Sequence, residues 1–135
     1  MTHDPIALTA AQPPFGHHVG CRIVSADVDR VEGEMEVVPA LLNRNGVLHG
    51  GAIMSLADNL GGMGSSLSLG EGQMTTTVES KTNFFRGVPA GETVRAVALR
   101  IHAGRTMQVW QTTLYRGDGK AAAQVTQTQM TLARR

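Results

Sequence analysis

The fold of this chain is decided by residues 50–69, which read GGAIMSLADNLGGMGSSLSL. The apolar residues of this stretch wrap most of the way round a helical wheel, so we predict a long buried helix. Gly70 is placed to end it. The interior glycines Gly61, Gly62 and Gly64 each weaken a helix by up to about 1 kcal/mol unless close packing compensates. The stretch therefore predicts a central helix with tightly packed neighbours.

Strand-like segments flank this helix on both sides. Residues 21–38 are rich in β-branched side chains and contain a turn signal at Asp29-Arg30, which predicts a hairpin. Four more strands are predicted near residues 75–85, 93–102, 106–115 and 121–132. The order β-β-α-β-β-β-β predicts an α+β fold, with one long helix against a largely antiparallel sheet.

The length of 135 residues suits one domain. We interpret residues 1–135 as a single domain, in which residues 1–16 form an extension or a short helix. The run Gln12–Gly16 contains two prolines, so that helix is expected only at about residues 5–11.

Composition excludes several classes of function. The net charge of +1 provides no strong field, so neither nucleic acid nor an anionic membrane is an expected partner. No apolar stretch approaches the roughly 20 residues of a membrane span, and no signal peptide is recognisable. Cys21 is the single cysteine, which suits a reducing, cytoplasmic location. Beside it, His17 and His18 are too few to indicate a metal site.

Residues 43–51, which read NRNGVLHGG, carry the first chemical signal. Gly50 and Gly51 stand at the expected helix entrance, where backbone N–H groups and the helix dipole favour negative charge. An oxyanion or a polarised carbonyl would fit there. The simpler alternative is that the two glycines only form a tight turn into the helix.

Asp58 carries the second signal because it lies in mid-helix among apolar residues. A desolvated carboxylate in such a place suits a general base or a nucleophile. The alternative is a carboxylate that caps a local break or pairs with an arginine. Glu79 could add a second carboxylate, although an outward-facing strand residue is the simpler interpretation.

At these residues the chain resembles the PaaI-type (phenylacetate-degradation) thioesterases of the hotdog superfamily. The resemblance extends from about Phe15 to Thr131 and includes the spacing Asn-x5-His-Gly-Gly-x6-Asp. The matching residues are Asn43, Leu48-His49-Gly50-Gly51, Leu56-Ala57-Asp58, Thr77-Val78-Glu79 and Asn83-Phe84-Phe85-Arg86. The resemblance implies a hotdog fold, in which the sheet wraps round the long helix, and hydrolysis of acyl-CoA thioesters.

The resemblance also implies a role for each matching site residue. Gly50 would donate its N–H to the thioester oxygen, and Asp58 would attack the carbonyl or activate water. Asn43 and His49 would position the water and the thioester or its leaving sulfur. Thr77 would lie near the attacking water, although strand alternation leaves open which member of the run Thr75-Thr76-Thr77 faces the site.

Other positions of the resemblance concern coenzyme A. Gly51, Arg86 and the turn Gly104-Arg105-Thr106 would meet it, since arginine suits phosphate groups. The alternative for Arg86 is a solvated side chain at a strand end. No cofactor is implied, because coenzyme A is part of the substrate.

The spacing between Gly50 and Asp58 predicts a site shared by two chains. The two residues are eight positions apart on one helix, or about 12 Å along its axis. One carbonyl cannot meet both, so Asp58 would come from a second, antiparallel helix. The resemblance agrees, because hotdog thioesterases pair into dimers and often into tetramers. If Gly50 is only structural, each Asp58 would instead act with local partners.

Two other functions on the same fold remain open from sequence. One is a non-catalytic module that binds an acyl-CoA as a ligand. The other is a hydratase or dehydratase, which would need an acid/base pair arranged for C–H chemistry. Fold alone does not separate them from a thioesterase, and the sequence does not choose between aryl and medium-chain acyl groups.

Overall fold

A computed structural model describes residues 2–135 and shows one long helix against one sheet. The helices are α1 (Pro5–Ala11), α2 (Pro14–Val19) and α3 (Gly50–Ser66), with a 3-10 turn at Pro39–Leu41. The strands are β1 (Arg22–Ala26), β2 (Arg30–Glu36), β3 (Gln73–Phe84), β4 (Thr93–Ala103), β5 (Met107–Tyr115) and β6 (Ala121–Ala133). The predicted order of hairpin, long helix and four strands is confirmed. None of the helices in the described range is long and apolar enough to cross a membrane.

The six strands form one sheet in the order β1-β2-β4-β5-β6-β3, and every neighbouring pair is antiparallel. β3 lies at one edge and pairs only with β6, with a bulge between Thr77 and Glu79. Its outer side therefore presents a row of unpaired backbone groups. This edge becomes important for the site below.

The core lies between α3 and the inner face of the sheet. Along β2, Val31, Gly33 and Met35 are buried and alternate with half-buried charged residues, which is the period of a strand with one face covered. From β5, Trp110 and Leu114 are fully buried. The buried face of α3 comprises Ala52, Ile53, Leu56, Ala57, Leu60, Gly61, Gly64 and Ser65.

Two of the three interior glycines explain how α3 packs so closely against the sheet. A Cβ added at Gly61 would lie 2.5 Å from the amide carbon of Gln127, and one at Gly64 would collide with the Trp110 ring. The prediction of close packing is thus confirmed at these two positions. Gly62 has open space in front of it, where a cavity begins.

Three sequence expectations about helices are wrong. α3 ends at Ser66 rather than near Gly70, because hydroxyls of Ser66 and Ser68 hydrogen-bond to carbonyls of the last turn and tighten it. α3 is also not buried all round, since Met54 and Asp58 are exposed. Finally, the proline-rich run separates two helices instead of ending helical structure, because Pro14 occupies the first turn of α2, where no N–H is needed.

Candidate active site

Asp58 and Thr77 meet where α3 crosses β3. The Thr77 hydroxyl donates to Asp58 Oδ1 over 2.7 Å, and Gln127 Nε2 donates to the same oxygen over 3.1 Å. Gln129 Nε2 donates to Thr77 Oγ1 over 2.6 Å, and Thr75 Oγ1 donates to Gln129 Oε1 over 3.1 Å. Of the three adjacent threonines, Thr77 is therefore the one that contacts Asp58.

Asp58 differs from the sequence expectation in its burial. The sequence predicts a desolvated carboxylate among apolar residues, but Asp58 is exposed and lies outside the buried face of α3. Within residues 2–135 it forms no ion pair with an arginine or lysine, and it caps no break in the helix. The carboxylate is held by neutral donors alone.

Asp58 borders a cavity of about 590 Å³, which we call the Asp58 cavity. Leu8, Ala11, Pro13 and Met63 provide apolar wall, and the remaining lining residues are uncharged polar side chains apart from Asp58 itself and Gly62. Gln12 fixes the N-terminal wall, because it accepts from Asn59 Nδ2 over 2.9 Å and donates to a backbone carbonyl over 2.8 Å. A cavity of this size and mixed character can receive an acyl group.

The entrance of α3 is capped by His49. Its Nδ1 accepts from the Gly51 N–H over 2.8 Å, which leaves Nε2 to carry the ring proton in the neutral form. The Gly50 N–H has no acceptor among the described residues. A Cβ at Gly50 would lie 3.1 Å from the Phe84 ring, and one at Gly51 would lie 3.0 Å from the His49 ring. A steric contact with a neighbouring ring therefore also favours glycine at each of these two positions.

Asn43 closes the turn that leads into this helix. Its Oδ1 accepts from the N–H groups of Asn45 over 2.9 Å and Val47 over 3.3 Å, and Gly46 adopts a φ of 79° that suits glycine. A second cavity, of about 340 Å³, opens beside it and is called the Gly50 cavity here. Its lining residues include Asn43, Gly50, Phe84, Phe85 and Arg86.

The structure places the predicted coenzyme A residues at two ends of β3. Arg86 lies two residues after the end of β3 and donates to the Ala121 carbonyl over 2.8 Å, beside the Gly50 cavity. The turn containing Gly104, Arg105 and Thr106 lies near the other end. There the Thr106 carbonyl accepts from Thr131 N–H over 2.8 Å, and Thr131 pairs with Thr75.

Gln127 and Gln129 were missed by sequence reasoning. Both lie on β6, are 1% exposed and contact the Asp58–Thr77 pair. The available signal was the alternation of threonine and glutamine in residues 126–129, which gives both faces of a central strand polar side chains. A polar side chain on the core-facing side of a strand marks a position where something must be hydrogen-bonded.

Cys21 and the neighbouring histidines do not add to the site. Burial raises the pKa of the Cys21 thiol to about 11, so it is protonated at neutral pH and is no nucleophile. Across residues 2–135, no three histidine, cysteine, aspartate or glutamate side chains are grouped to hold a metal ion.

Comparison with known proteins identifies the family. The profile described as "Thioesterase superfamily" matches residues 45–123. The proofreading thioesterase EntH of Cronobacter turicensis is 33% identical over 103 residues, which cover 76% of this chain and 74% of the relative. A mutant of thioesterase PA1618 from Pseudomonas aeruginosa superimposes with a TM-score of 0.91 at 33% identity, covering 98% of this chain and 96% of that one.

Two further solved structures extend the comparison. Smu.793 of Streptococcus mutans, solved with acetyl-CoA bound, has a TM-score of 0.78 at 28% identity and covers 86% of this chain and 91% of its own. E. coli PaaI, from the phenylacetic acid degradation operon, has a TM-score of 0.86 at 22% identity over 96% of this chain and 92% of that one, a likeness of fold. The chain therefore belongs to the thioesterase superfamily, as a thioester hydrolase with the hotdog fold of the PaaI-type proteins.

Proposed function

We propose that this protein hydrolyses the thioester of an acyl- or aryl-CoA to the free acid and CoA. Asp58 acts as the nucleophile or as the general base that removes a proton from water, and the sulfur leaves as the thiol of CoA. The observation that carries the proposal is the carboxylate of Asp58, which borders the Asp58 cavity with one oxygen held by two donors and the other without a partner.

The Gly50 N–H is the proposed donor to the thioester oxygen. It lies at the first position of α3, where the helix dipole favours negative charge, and it has no acceptor within the described residues. A free donor at that place stabilises the oxyanion that develops when the carbonyl is attacked. In this scheme Asn43 and His49 position the water and the thioester, and Thr77 orients Asp58.

The two parts of this site come from two copies of the chain. Gly50 and Asp58 are about 12 Å apart along α3 at 1.5 Å per residue, and they border different cavities. Gly50 packs near Phe84, whereas Asp58 bonds Thr77. If the free edges of two β3 strands pair antiparallel about a centre near residues 80–81, Thr77 of one copy faces Phe84 of the other. That pairing brings each Asp58 towards Gly50 of the second copy.

The edge of β3 carries the properties expected of such an interface. The strand is 12 residues long, and apolar side chains along and just after it are exposed, namely Val78 at 51%, Phe84 at 54% and Phe85 at 52%. A long exposed edge strand is a template for pairing with another chain. We propose the homodimer as the minimal active unit and a homotetramer as the full assembly.

The coenzyme A part of the substrate is proposed to contact Gly51, Arg86 and the turn Gly104-Arg105-Thr106. Phe84 and Thr75 are nine positions apart on β3, or about 30 Å at 3.3 Å per residue, so Arg86 and Arg105 of one chain lie far apart. Each site would therefore take its basic residues from different copies. The reaction uses water and protein groups and needs no cofactor. A cytoplasmic location is part of the proposal, because the single cysteine forms no intrachain disulfide.

A panel of acyl- and aryl-CoAs, with free CoA detected by a thiol-reactive dye, tests the proposal. We expect steady release of CoA from at least one member and loss of that release in Asp58→Ala. Binding of the panel without turnover would favour the non-catalytic module. Addition of water to a C=C bond of the acyl group, or elimination of water to form one, with the thioester left intact would favour the hydratase or dehydratase. Binding without turnover and this reaction each contradict the proposal.

A further inference from the structure

The hydrogen bonds to Asp58 are unequal between its two oxygens. Thr77 Oγ1 at 2.7 Å and Gln127 Nε2 at 3.1 Å both donate to Oδ1. Oδ2 has no protein donor anywhere in residues 2–135. A carboxylate held in this way has one anchored oxygen and one free oxygen.

The direction of each proton in the network follows from the amide of Gln129. Its Nε2 can only donate, so Thr77 Oγ1 accepts at 2.6 Å and must direct its own proton elsewhere. Within residues 2–135, Asp58 Oδ1 is the one acceptor available to that proton. The orientation of Gln129 is fixed in turn by Thr75, whose hydroxyl donates to Gln129 Oε1. The series Thr75, Gln129, Thr77, Asp58 therefore runs in one direction.

The buried amide of Gln127 lowers the stability of the folded state. The side chain is 1% exposed, and its Oε1 has no hydrogen-bond partner although it is buried. A buried acceptor without a partner destabilises the folded state. Gly61 leaves the space for the amide, because a Cβ there would lie 2.5 Å from the amide carbon. An apolar side chain of similar length would fill the same space without the unpaired oxygen, so the fold alone does not require glutamine.

We propose that Gln127 is a positioning residue for the thioesterase reaction: with Thr77 it anchors Asp58 Oδ1, so that Oδ2 is the oxygen presented to water or to the thioester. The inference rests on the proposed function, because it names the reacting atom of that same site. Its physical basis is preorganisation, since a carboxylate fixed in the reactive orientation loses less freedom when the transition state forms.

The test compares Gln127→Met with Gln124→Met in the full-length protein. Methionine has nearly the length of glutamine and lacks the donor. Gln124 is a matched control because it lies on the same strand, but its side chain faces outward and bonds Thr113. We expect kcat of Gln127→Met to fall about tenfold, the effect of losing one hydrogen bond to a charged group, with KM within about twofold. Its melting temperature should equal or exceed that of the wild type, and Gln124→Met should change neither constant.

A purely structural role for Gln127 predicts the reverse pattern, in which the melting temperature falls and kcat per folded protein stays the same. That result overturns the inference while leaving the thioesterase proposal intact. Gln127→Asn is the second variant, because it keeps an amide but withdraws it from Asp58, and it should lose kcat to a similar extent. If neither variant folds, Gln127 is structural and the inference is wrong. If the wild type releases no CoA from any substrate, both proposals fall.

Discussion

The two ends of the proposed site are built in different ways. In the entrance end, from Asn43 to Gly51, the side-chain hydrogen bonds that close the turn and the cap join residues at most four positions apart, and a backbone bond, from Leu48 N–H to the Val88 carbonyl, reaches further. The carboxylate end depends on distant contacts, since Asp58 bonds Thr77 19 positions away and Gln127 69 positions away. The side chains of the entrance end thus find their partners within one short motif, whereas those of the carboxylate end require β3 to be paired with β6.

The two ends also differ in the hydrogen-bond partners of their polar groups. At the entrance end, backbone groups are the partners of Asn43 and His49, and the Gly50 N–H stays free. At the carboxylate end, Gln127 and Gln129 are buried beneath α3 and direct their amides at the site. We infer that the entrance supplies a rigid donor and that side chains of the sheet orient the carboxylate, which α3 carries.

The largest expected effect is that of Asp58→Asn, which keeps the shape of the carboxylate end and removes its charge. We expect kcat to fall by at least about a hundredfold, as for the loss of an acid/base or nucleophilic group. The melting temperature should stay the same or rise, because active-site groups are held at a cost to stability. Steady-state CoA release and thermal unfolding of the same preparation provide both numbers.

Asp29→Asn is the matched control for that change. Asp29 lies in the turn between β1 and β2, where it pairs with Arg100 over 2.7 Å, and it borders neither the Asp58 cavity nor the Gly50 cavity. Its kcat should remain within about twofold of the wild type, as for a surface change remote from the site. Near wild-type turnover in Asp58→Asn would show that the carboxylate end has been assigned wrongly.

A mixed dimer tests whether the two ends come from different chains. Asp58→Ala removes the carboxylate, and Gly50→Pro removes the entrance N–H at the first helix position, where the backbone suits proline and the Phe84 ring must shift by a few tenths of an ångström. Each parent should be inactive. Heterodimers purified through two different tags should contain one intact site and recover about half of the wild-type activity, since a two-fold dimer has two equivalent sites. Folded heterodimers that stay inactive would rule out the shared site.

The order of elements could be predicted from sequence because each strand carries its own alternation and each turn its own glycines. The entrance end could be located for the same reason, since the side-chain hydrogen bonds of Asn43 and His49 stay within residues 43–51. The contact between Asp58 and Thr77 needed the register of β3 on β6 and the placement of α3 above both. No spacing within a single segment contains that information.

The errors made from sequence have a common physical origin. Asp58 was expected to be desolvated because its helical neighbours are apolar, but burial depends on which side of α3 faces the sheet. The roles of Gln127 and Gln129 were overlooked because a Thr/Gln strand looks like a solvated one. In both cases the surroundings of the side chain depend on the packing of distant segments, and the composition of the local sequence does not predict them.

The smallest expected effect concerns His49, and it separates the cap from the chemistry at the entrance end. His49→Ala removes the acceptor for the Gly51 N–H, so the free energy of unfolding should fall by about 1 kcal/mol, as for other lost N-caps. His49→Asn restores a favourable cap and should return stability to within about 0.5 kcal/mol of the wild type. Neither variant has the ring Nε2–H, so kcat/KM should be lowered about fivefold in both, a loss of about 1 kcal/mol in the transition state.

The pair of variants gives a result that a single substitution would not. Denaturant unfolding measures the cap, and CoA release from the best substrate of the panel measures the positioning of the thioester. If asparagine restores activity together with stability, His49 serves only to begin α3, and the entrance end then contributes the Gly50 N–H alone. If stability returns and activity does not, the imidazole acts on the substrate. In that case the entrance end has two functional groups, the His49 imidazole and the Gly50 N–H, on adjacent residues of one turn. The carboxylate end has a single functional group, Asp58, and needs side chains of the sheet to orient it.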